Sequence, residues 1–239
     1  MRNKNMIIIN GWAAPKFIWH DFINLASNDY IVHFINVNDY DNSNLYTDKV
    51  SSYINNNRLT NITLVGWSLG SMVLIKSLPL IKNKIDFIVL FAPTLRFTIC
   101  KKTNYIWGWN SKLVFLMQKR LITDMDNTLL DFYSKLFTPK ESKYKLELFT
   151  HHTSHNKYDL HNLISGLDFL INEDLRCTST IHTKALIIHG DSDEICPLNS
   201  SKLVNSIFNN SKTLVTNNSG HAPFYTMANI CYEFILNNG

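Results

Sequence analysis

The chain has 239 residues, of which 45% are hydrophobic and 12% aromatic, enough apolar material to bury the core of one large domain or two small ones. Charged residues make up 18% and the formal net charge is +4, a mild basicity that excludes a nucleic-acid-binding tail. The four cysteines, Cys100, Cys177, Cys196 and Cys231, show no CxxC pair or metal-ligand spacing, so free thiols in a reducing, cytoplasmic setting are expected instead of a disulfide framework.

In chain order, the opening "MRNKNMIIINGWAAP" carries positive charge but only a four-residue apolar run before polar and turn residues. That is far short of a signal h-region or a spanning helix, so neither export nor membrane insertion is expected. Short runs rich in Ile, Val and Phe then alternate with longer amphipathic stretches, which predicts a mostly parallel sheet flanked by crossover helices. Strands are expected over residues 6–10, 30–37, 62–66, 85–92, 185–189 and 213–216. Four of the five connections have the length of one crossover helix with its loops. The fifth, over residues 93–184, is too long for one crossover and too patterned for a loop. It contains helical patterns such as "SKLVFLMQKRLI" and "NTLLDFYSKLF" and reads as an inserted helical cap over 94–183, with 1–93 and 184–239 forming the sheet domain. The richness in Asn is chain-wide and points to no function.

"GWSLG", residues 66–70, stands where the third strand gives way to a helix. A serine flanked at two residues on either side by glycine fits a nucleophile elbow, in which Ser68 occupies a strained conformation at the carboxyl end of its strand. Side chains at Gly66 and Gly70 would collide with the turn or the incoming helix. The result is a hydroxyl above a helix amino-terminus, whose free N–H groups favour a developing oxyanion.

The nucleophile needs a base. His221, in "NNSGHAPF", follows the last strand, and the carboxyl end of a strand is where an open α/β sheet places its chemistry. His20 and His33 read as surface or packing residues, and His189, inside an apolar strand, as a satisfied core histidine. His151, His152, His155 and His161 in "HHTSHNKYDLH" match no zinc pattern and have no interleaved acid or thiol, so no metal is expected. A carboxylate should orient the base. "ALIIHGDSDEICP" offers Asp191 and Asp193, with Glu194 a poor third. Taking Asp193 gives the order Ser68, Asp193, His221, as in an α/β-hydrolase.

The chain resembles the pimeloyl-ACP methyl ester carboxylesterase family of α/β-hydrolases, which acts in biotin synthesis. The matching pieces are "NGWAAPKFIW" after the first strand, "GWSLGS", "GLDFLINEDLR" at Gly166 to Arg176, "HGDSDEICP" and "GHAPF". The resemblance implies Ser68 as nucleophile, His221 as base and Asp193 as acid, since the family places the acid three residues after the glycine, here Gly190, and ahead of the proline, here Pro197. It also implies an oxyanion hole from the backbone N–H groups of Leu69 and Trp12, with the Trp12 ring lining an acyl pocket. Trp67, Phe91 and the Trp107/Trp109 pair are candidates for an apolar acyl channel, core being the commoner role for such side chains. Two departures stand out. The family opens with a β-hairpin before this strand, so a truncated sheet edge is expected, and the usual histidine before "GW" is Asn10.

Between Arg96 and Arg120 the charged residues are Arg96, Lys101, Lys102, Lys112, Lys119 and Arg120, with no Asp or Glu among them. Such charges can steer an acidic partner, for which acyl carrier protein fits, or they can line a solvated helix face. The expected activity is hydrolysis of a methyl ester on a carrier-bound acyl chain through an acyl-enzyme, without cofactor. The alternatives are a thioesterase or broad short-chain carboxylesterase on the same triad, or a hydrolase-fold binding protein, against which the intact Ser68, Asp193 and His221 set argues.

Overall fold

Each run expected to form a strand does so within two residues at either end. The strands are β1 (Asn5–Ile9), β2 (Ile31–Ile35), β3 (Ile62–Trp67), β4 (Ile85–Phe91), β5 (Lys184–Gly190) and β6 (Ser211–Thr216). The structure is a computed structural model that describes residues 4–82, 85–155 and 158–239. All six strands pair in parallel in the order β2-β1-β3-β4-β5-β6. The central strands β1 and β3 are buried along their whole length, as near-continuous apolar runs must be when helices cover both faces. The edge strands β2 and β6 are more exposed and carry the polar residues His33 and Lys212.

Helices α1 (His20–Ala26), α2 (Tyr46–Asn56) and α3 (Leu69–Ser77) make the first three crossovers. The long interval between β4 and β5 holds α4 (Ser111–Thr123), α5 (Met125–Ser134), α6 (Ser142–His155) and α7 (Leu160–Asn172). Then α8 (Leu198–Ser206) joins β5 to β6, and α9 (Pro223–Thr226) and α10 (Ala228–Asn238) close the chain. Under the carboxyl ends of the central strands lies an aromatic cluster. Trp19 stacks on Phe224 at 3.6 Å, and Phe22, Trp67 and Phe91 pack edge-on against Trp19.

The strand order fixes where a site can form. From β1 the chain leaves toward β2 on one side, whereas β3 lies on the other, so the loops after β1 and β3 diverge and leave a crevice between them. Residues 10–14 and Ser68 occupy its two walls. The walls are held together by contact at Gly70, where an added Cβ would lie 2.2 Å from the Ile9 carbonyl oxygen and 2.5 Å from that of Asn10. Gly66 is needed for a different reason, since its Cβ would meet the Ser71 backbone at 2.8 Å. The helix thus excludes a side chain at one glycine of the elbow, and the neighbouring strand excludes one at the other.

Both atoms opposing Gly70 are backbone, at the last residue of the central strand β1 and the one after it, so they have little room to retreat. Gly70→Ala should therefore cost roughly 1–3 kcal/mol or more, read as a lowered urea midpoint. A midpoint equal to the wild type would show that α3 can draw back from β1.

Candidate active site

Ser68 has φ 54° and ψ −119°, a left-handed backbone that a β-carbon makes costly. It is held there by its own N–H, which donates to the Phe91 carbonyl at 3.0 Å, and by its carbonyl, which accepts from Ser71 N–H at 2.9 Å. The strained elbow expected from "GWSLG" is present, and the serine is 8% exposed.

His221 is set by the loop after β6. Its N–H donates to the Leu136 carbonyl at 2.8 Å, and its own carbonyl accepts from Trp67 Nε1 at 2.8 Å. The preceding residues are tied to Glu141, a buried carboxylate just before α6. Glu141 accepts from Gly220 N–H at 2.9 Å and from the Ser219 hydroxyl at 3.2 Å. Sequence reasoning missed this tie. Its one signal is "TPKE", a capping box in which Glu141 also accepts from Thr138 N–H, and that announces a helix start but no loop partner.

Of the two carboxylates, it is the expected one, Asp193, that the structure brings to His221. Asp193 Oδ2 lies 2.7 Å from His221 Nδ1, whereas Asp191 is exposed and accepts from the Ser192 hydroxyl. Asp193 Oδ1 accepts the N–H groups of Ile195 and Cys196 at 2.8 and 2.9 Å. His189 comes to the same carboxylate. Its Nε2 is 2.7 Å from the Cys196 carbonyl and 3.1 Å from Asp193 Oδ2. A carbonyl only accepts, so that nitrogen carries a proton. His189 is buried in β5 as expected, but it is not fully satisfied, because its Nδ1 has no partner. Burial by itself raises the pKa of the Asp193 carboxyl. The attraction of His221 and the hydrogen bonds from both histidines outweigh burial and hold it below the usual carboxylate range. The ionised carboxylate makes His221 Nδ1 the donor and leaves Nε2 as the basic nitrogen. Among the described residues the buried Nε2 has no hydrogen-bond partner, so it is not bonded to the Ser68 hydroxyl. Cys196 beside them is inert, since burial and the Asp193 charge push its thiol well above the ordinary value.

Leu69 opens α3 and Trp12 lies in the loop after β1, on facing walls of the crevice. The Trp12 indole donates to the Leu163 carbonyl at 2.8 Å and packs edge-on against Phe132 at 4.8 Å. Gly166 in α7 makes room for it, since a Cβ there would be 2.4 Å from the ring. Of the side chains considered for an acyl channel, Phe91 is fully buried among Trp19, Phe22 and Phe224, a core position. Trp67 is buried against His221 and Phe224. Trp109 stacks on Phe97 and donates to the Ile195 carbonyl at 2.9 Å, bracing the Asp193 loop. Trp107 lines a cavity of about 280 Å³ together with Leu95, Tyr105, Arg176 and Leu203.

The cations between Arg96 and Arg120 are not all unopposed. Arg96 pairs with Asp174 at 2.7 Å and donates to the Thr98 carbonyl, and Arg120 pairs with Asp131 at 2.8 Å. Both acids lie outside the segment, which is why its local sequence hid them. Lys101, Lys102, Lys112 and Lys119 are exposed and form no ion pair among the described residues. The remaining histidines disperse. His151 stacks on Phe17 at 4.1 Å, His152 Nε2 lies 3.2 Å from Asp126, and the His155 side chain is outside those described. His20 is exposed, and His33 lies between Asn5 and Tyr53. Among the described residues no three His, Cys, Asp or Glu side chains gather as metal ligands, and no helix is long and apolar enough to cross a membrane.

A family model described as alpha/beta hydrolase fold matches residues 4–228. The chain is similar to a pimeloyl-[acyl-carrier protein] methyl ester esterase from Wigglesworthia glossinidia brevipalpis, 25% identical over 92% of this chain and 87% of that protein. It is 22% identical to a protein of the same name from Nitrosomonas europaea, over 92% of this chain and 89% of the other. Among solved structures, an esterase from Exiguobacterium antarcticum superposes with a TM-score of 0.83 at 20% identity, over 99% of this chain and 92% of that one. A bromoperoxidase from Bacillus anthracis gives 0.85 at 19% identity, over 98% and 91%. These two likenesses speak to the fold alone.

Because the Asp193 carboxyl titrates below its unfolded value, it contributes stability that is fully present above about pH 4 and lost as pH falls toward the folded value. Wild type should thus lose stability more steeply than Asp193→Asn below pH 4, by up to about 1.4 kcal/mol per pH unit. Urea midpoints measured from pH 5 to pH 2 check this. Parallel curves would mean that the carboxyl titrates normally.

Proposed function

The chain belongs to the α/β-hydrolase fold family, and from that premise we propose that it is a carboxylic ester hydrolase with Ser68 as nucleophile, His221 as base and Asp193 as the group that orients the base. The observation that carries this reading is the buried Asp193–His221 pair, whose unbonded Nε2 lies at the same end of the parallel sheet as the strained Ser68.

In the proposed cycle, Ser68 Oγ attacks the ester carbonyl carbon while His221 Nε2 takes its proton. The N–H groups of Leu69 and Trp12 hold the oxyanion, each worth roughly 3–4 kcal/mol in comparable hydrolases. The intermediate collapses, the C–O bond to the alcohol breaks, and His221 returns the proton to the departing alkoxide. Water then attacks the acyl-enzyme with the same base, releasing the acid and restoring Ser68. Throughout, the ionised Asp193 holds Nδ1–H and stabilises the imidazolium.

The substrate we propose is the methyl ester of an acyl chain carried on acyl carrier protein, in biotin synthesis. The printed names of the curated relatives support it, and so does one surface of this chain. Helix α4 exposes Leu113, Phe115, Leu116 and Ile122 beside Lys112 and Lys119, with Lys101 and Lys102 just before it. An acidic carrier fits such a face. Residues 94–183 then act as the cap that selects the substrate, over a catalytic core of 1–93 and 184–239. The four cysteines form no disulfide, which suits the cytoplasm in which we place the enzyme.

Ser68→Ala should lose on the order of 10⁴-fold or more in kcat while folding normally. Wild-type turnover in the purified variant would sink the proposal. For the partner, Lys101, Lys102 and Lys119 reversed to Glu should lower kcat/KM for a carrier-bound methyl ester and spare p-nitrophenyl butyrate. The defect should shrink once salt brings the Debye length below roughly 8 Å. Equal losses on both substrates would mean damage to the inserted helices instead of lost docking.

A further inference from the structure

Asn38 stands in the turn Val37–Asp39 after β2 and is 5% exposed. Because β2 is the neighbour of β1, this turn emerges beside the loop that carries Trp12. The Asn38 Nδ2 donates to the Gly11 carbonyl at 2.8 Å and to Asn36 Oδ1 at 2.8 Å, and its Oδ1 accepts the Ala13 N–H at 2.8 Å. A carbonyl can only accept and an N–H can only donate, so the two ends of the carboxamide are unambiguous.

The Gly11 carbonyl and the Trp12 N–H are the two ends of a single trans peptide plane and point in opposite directions. Holding the carbonyl therefore decides where the N–H points, which is away from Asn38. The next plane is held by the bond from Ala13 N–H. One carboxamide thus grips both peptide units that flank Trp12. The Trp12 N–H itself donates to no protein acceptor among the described residues.

The loop would not keep this shape unaided. Ala13 has φ 51°, a left-handed conformation that costs a residue with a β-carbon roughly 1–3 kcal/mol. On its far side the Ala13 carbonyl accepts the hydroxyls of Tyr133 and Tyr158 at 2.8 and 2.9 Å, and Asn10 Nδ2 donates to the Ala14 carbonyl at 2.6 Å. Rotation of the Gly11–Trp12 plane would turn the N–H out of the crevice and break the Asn38 bond to Gly11.

We propose that Asn38 is a positioning residue for the oxyanion hole, fixing the peptide plane whose N–H is the donor on the β1 side. This rests on the reading of Ser68 as nucleophile and the Trp12 N–H as one oxyanion donor. Nothing in "NVND" marks the residue in sequence, because the partners that matter, the Gly11 carbonyl and the Ala13 N–H, are backbone atoms of the neighbouring β1 loop.

The test uses Asn38→Asp, which keeps the shape and the acceptor for Ala13 but loses the donor to Gly11, and Asn38→Leu, which loses both. With p-nitrophenyl butyrate each should lower kcat by roughly 10- to 100-fold, below the 10²–10³ of a fully deleted donor, with KM within about twofold of wild type. The readout that a merely structural role would not move is the affinity for n-butylboronic acid, a tetrahedral mimic. It should fall by the same factor as kcat, while butyramide, a ground-state mimic, binds as before. If Asn38→Leu does not fold, Asn38→Asp with a wild-type melting temperature decides the matter. Unchanged kcat and boronate affinity in Asn38→Asp, with Ser68→Ala inactive, would overturn the inference and leave the esterase reading intact. Equal losses of boronate and butyramide affinity would overturn it as well, by showing general damage. Full activity in Ser68→Ala would overturn the esterase reading and this inference with it.

Discussion

The first turn of α3 lies against the carbonyl end of β1 at a spacing that only Gly70 allows. This contact joins the two walls of the crevice at the sheet's switch point and sets the loop after β1 facing the helix amino-terminus after β3. Trp12 and Leu69 belong to different crossovers and stand on facing walls only because these backbones touch.

A buried carboxylate is the other demanding element. Moving a charge out of water is costly unless donors replace the lost solvent. Asp193 meets this with two backbone N–H groups on one oxygen and two histidine nitrogens near the other. Burial then makes the charge more effective, since low dielectric strengthens its hold on His221.

The segment between β4 and β5 grips the loops around the crevice one by one. The Leu136 carbonyl and Glu141 hold the His221 loop, Trp109 holds the Asp193 loop, and Leu163 and Tyr133 hold the loop of Trp12 and Ala13. Rearrangement of this segment would thus reach those loops directly through hydrogen bonds.

Strand positions were legible because unbroken Ile-, Val- and Phe-rich runs such as "MIII" and "IVLF" have no stable place except inside a covered sheet. The elbow was legible because its glycine-serine-glycine spacing falls within five consecutive residues, 66–70, although the backbones that hold it come from β1 and β4. His221 could be selected by its place after the last strand. By contrast, spacing could not separate Asp191 from Asp193, which lie in one turn and differ in which way they face, and only the resemblance pointed to Asp193. Nor could spacing show the pairing of Arg96 and Arg120, unopposed in their own segment yet paired with Asp174 and Asp131 from other elements. Glu141 and Asn38 gave no usable signal, as each holds backbone groups far away in the chain, and the approach of His189 to Asp193, though only four residues off, depends on the turn after β5. The sequence by itself determined what covalent spacing and local backbone strain control: the strands, the elbow and the order of Ser68, Asp193 and His221. Only the tertiary structure decided the partners of the buried polar groups, because a hydrogen bond a few ångströms long depends on how distant segments pack and leaves no periodicity to read.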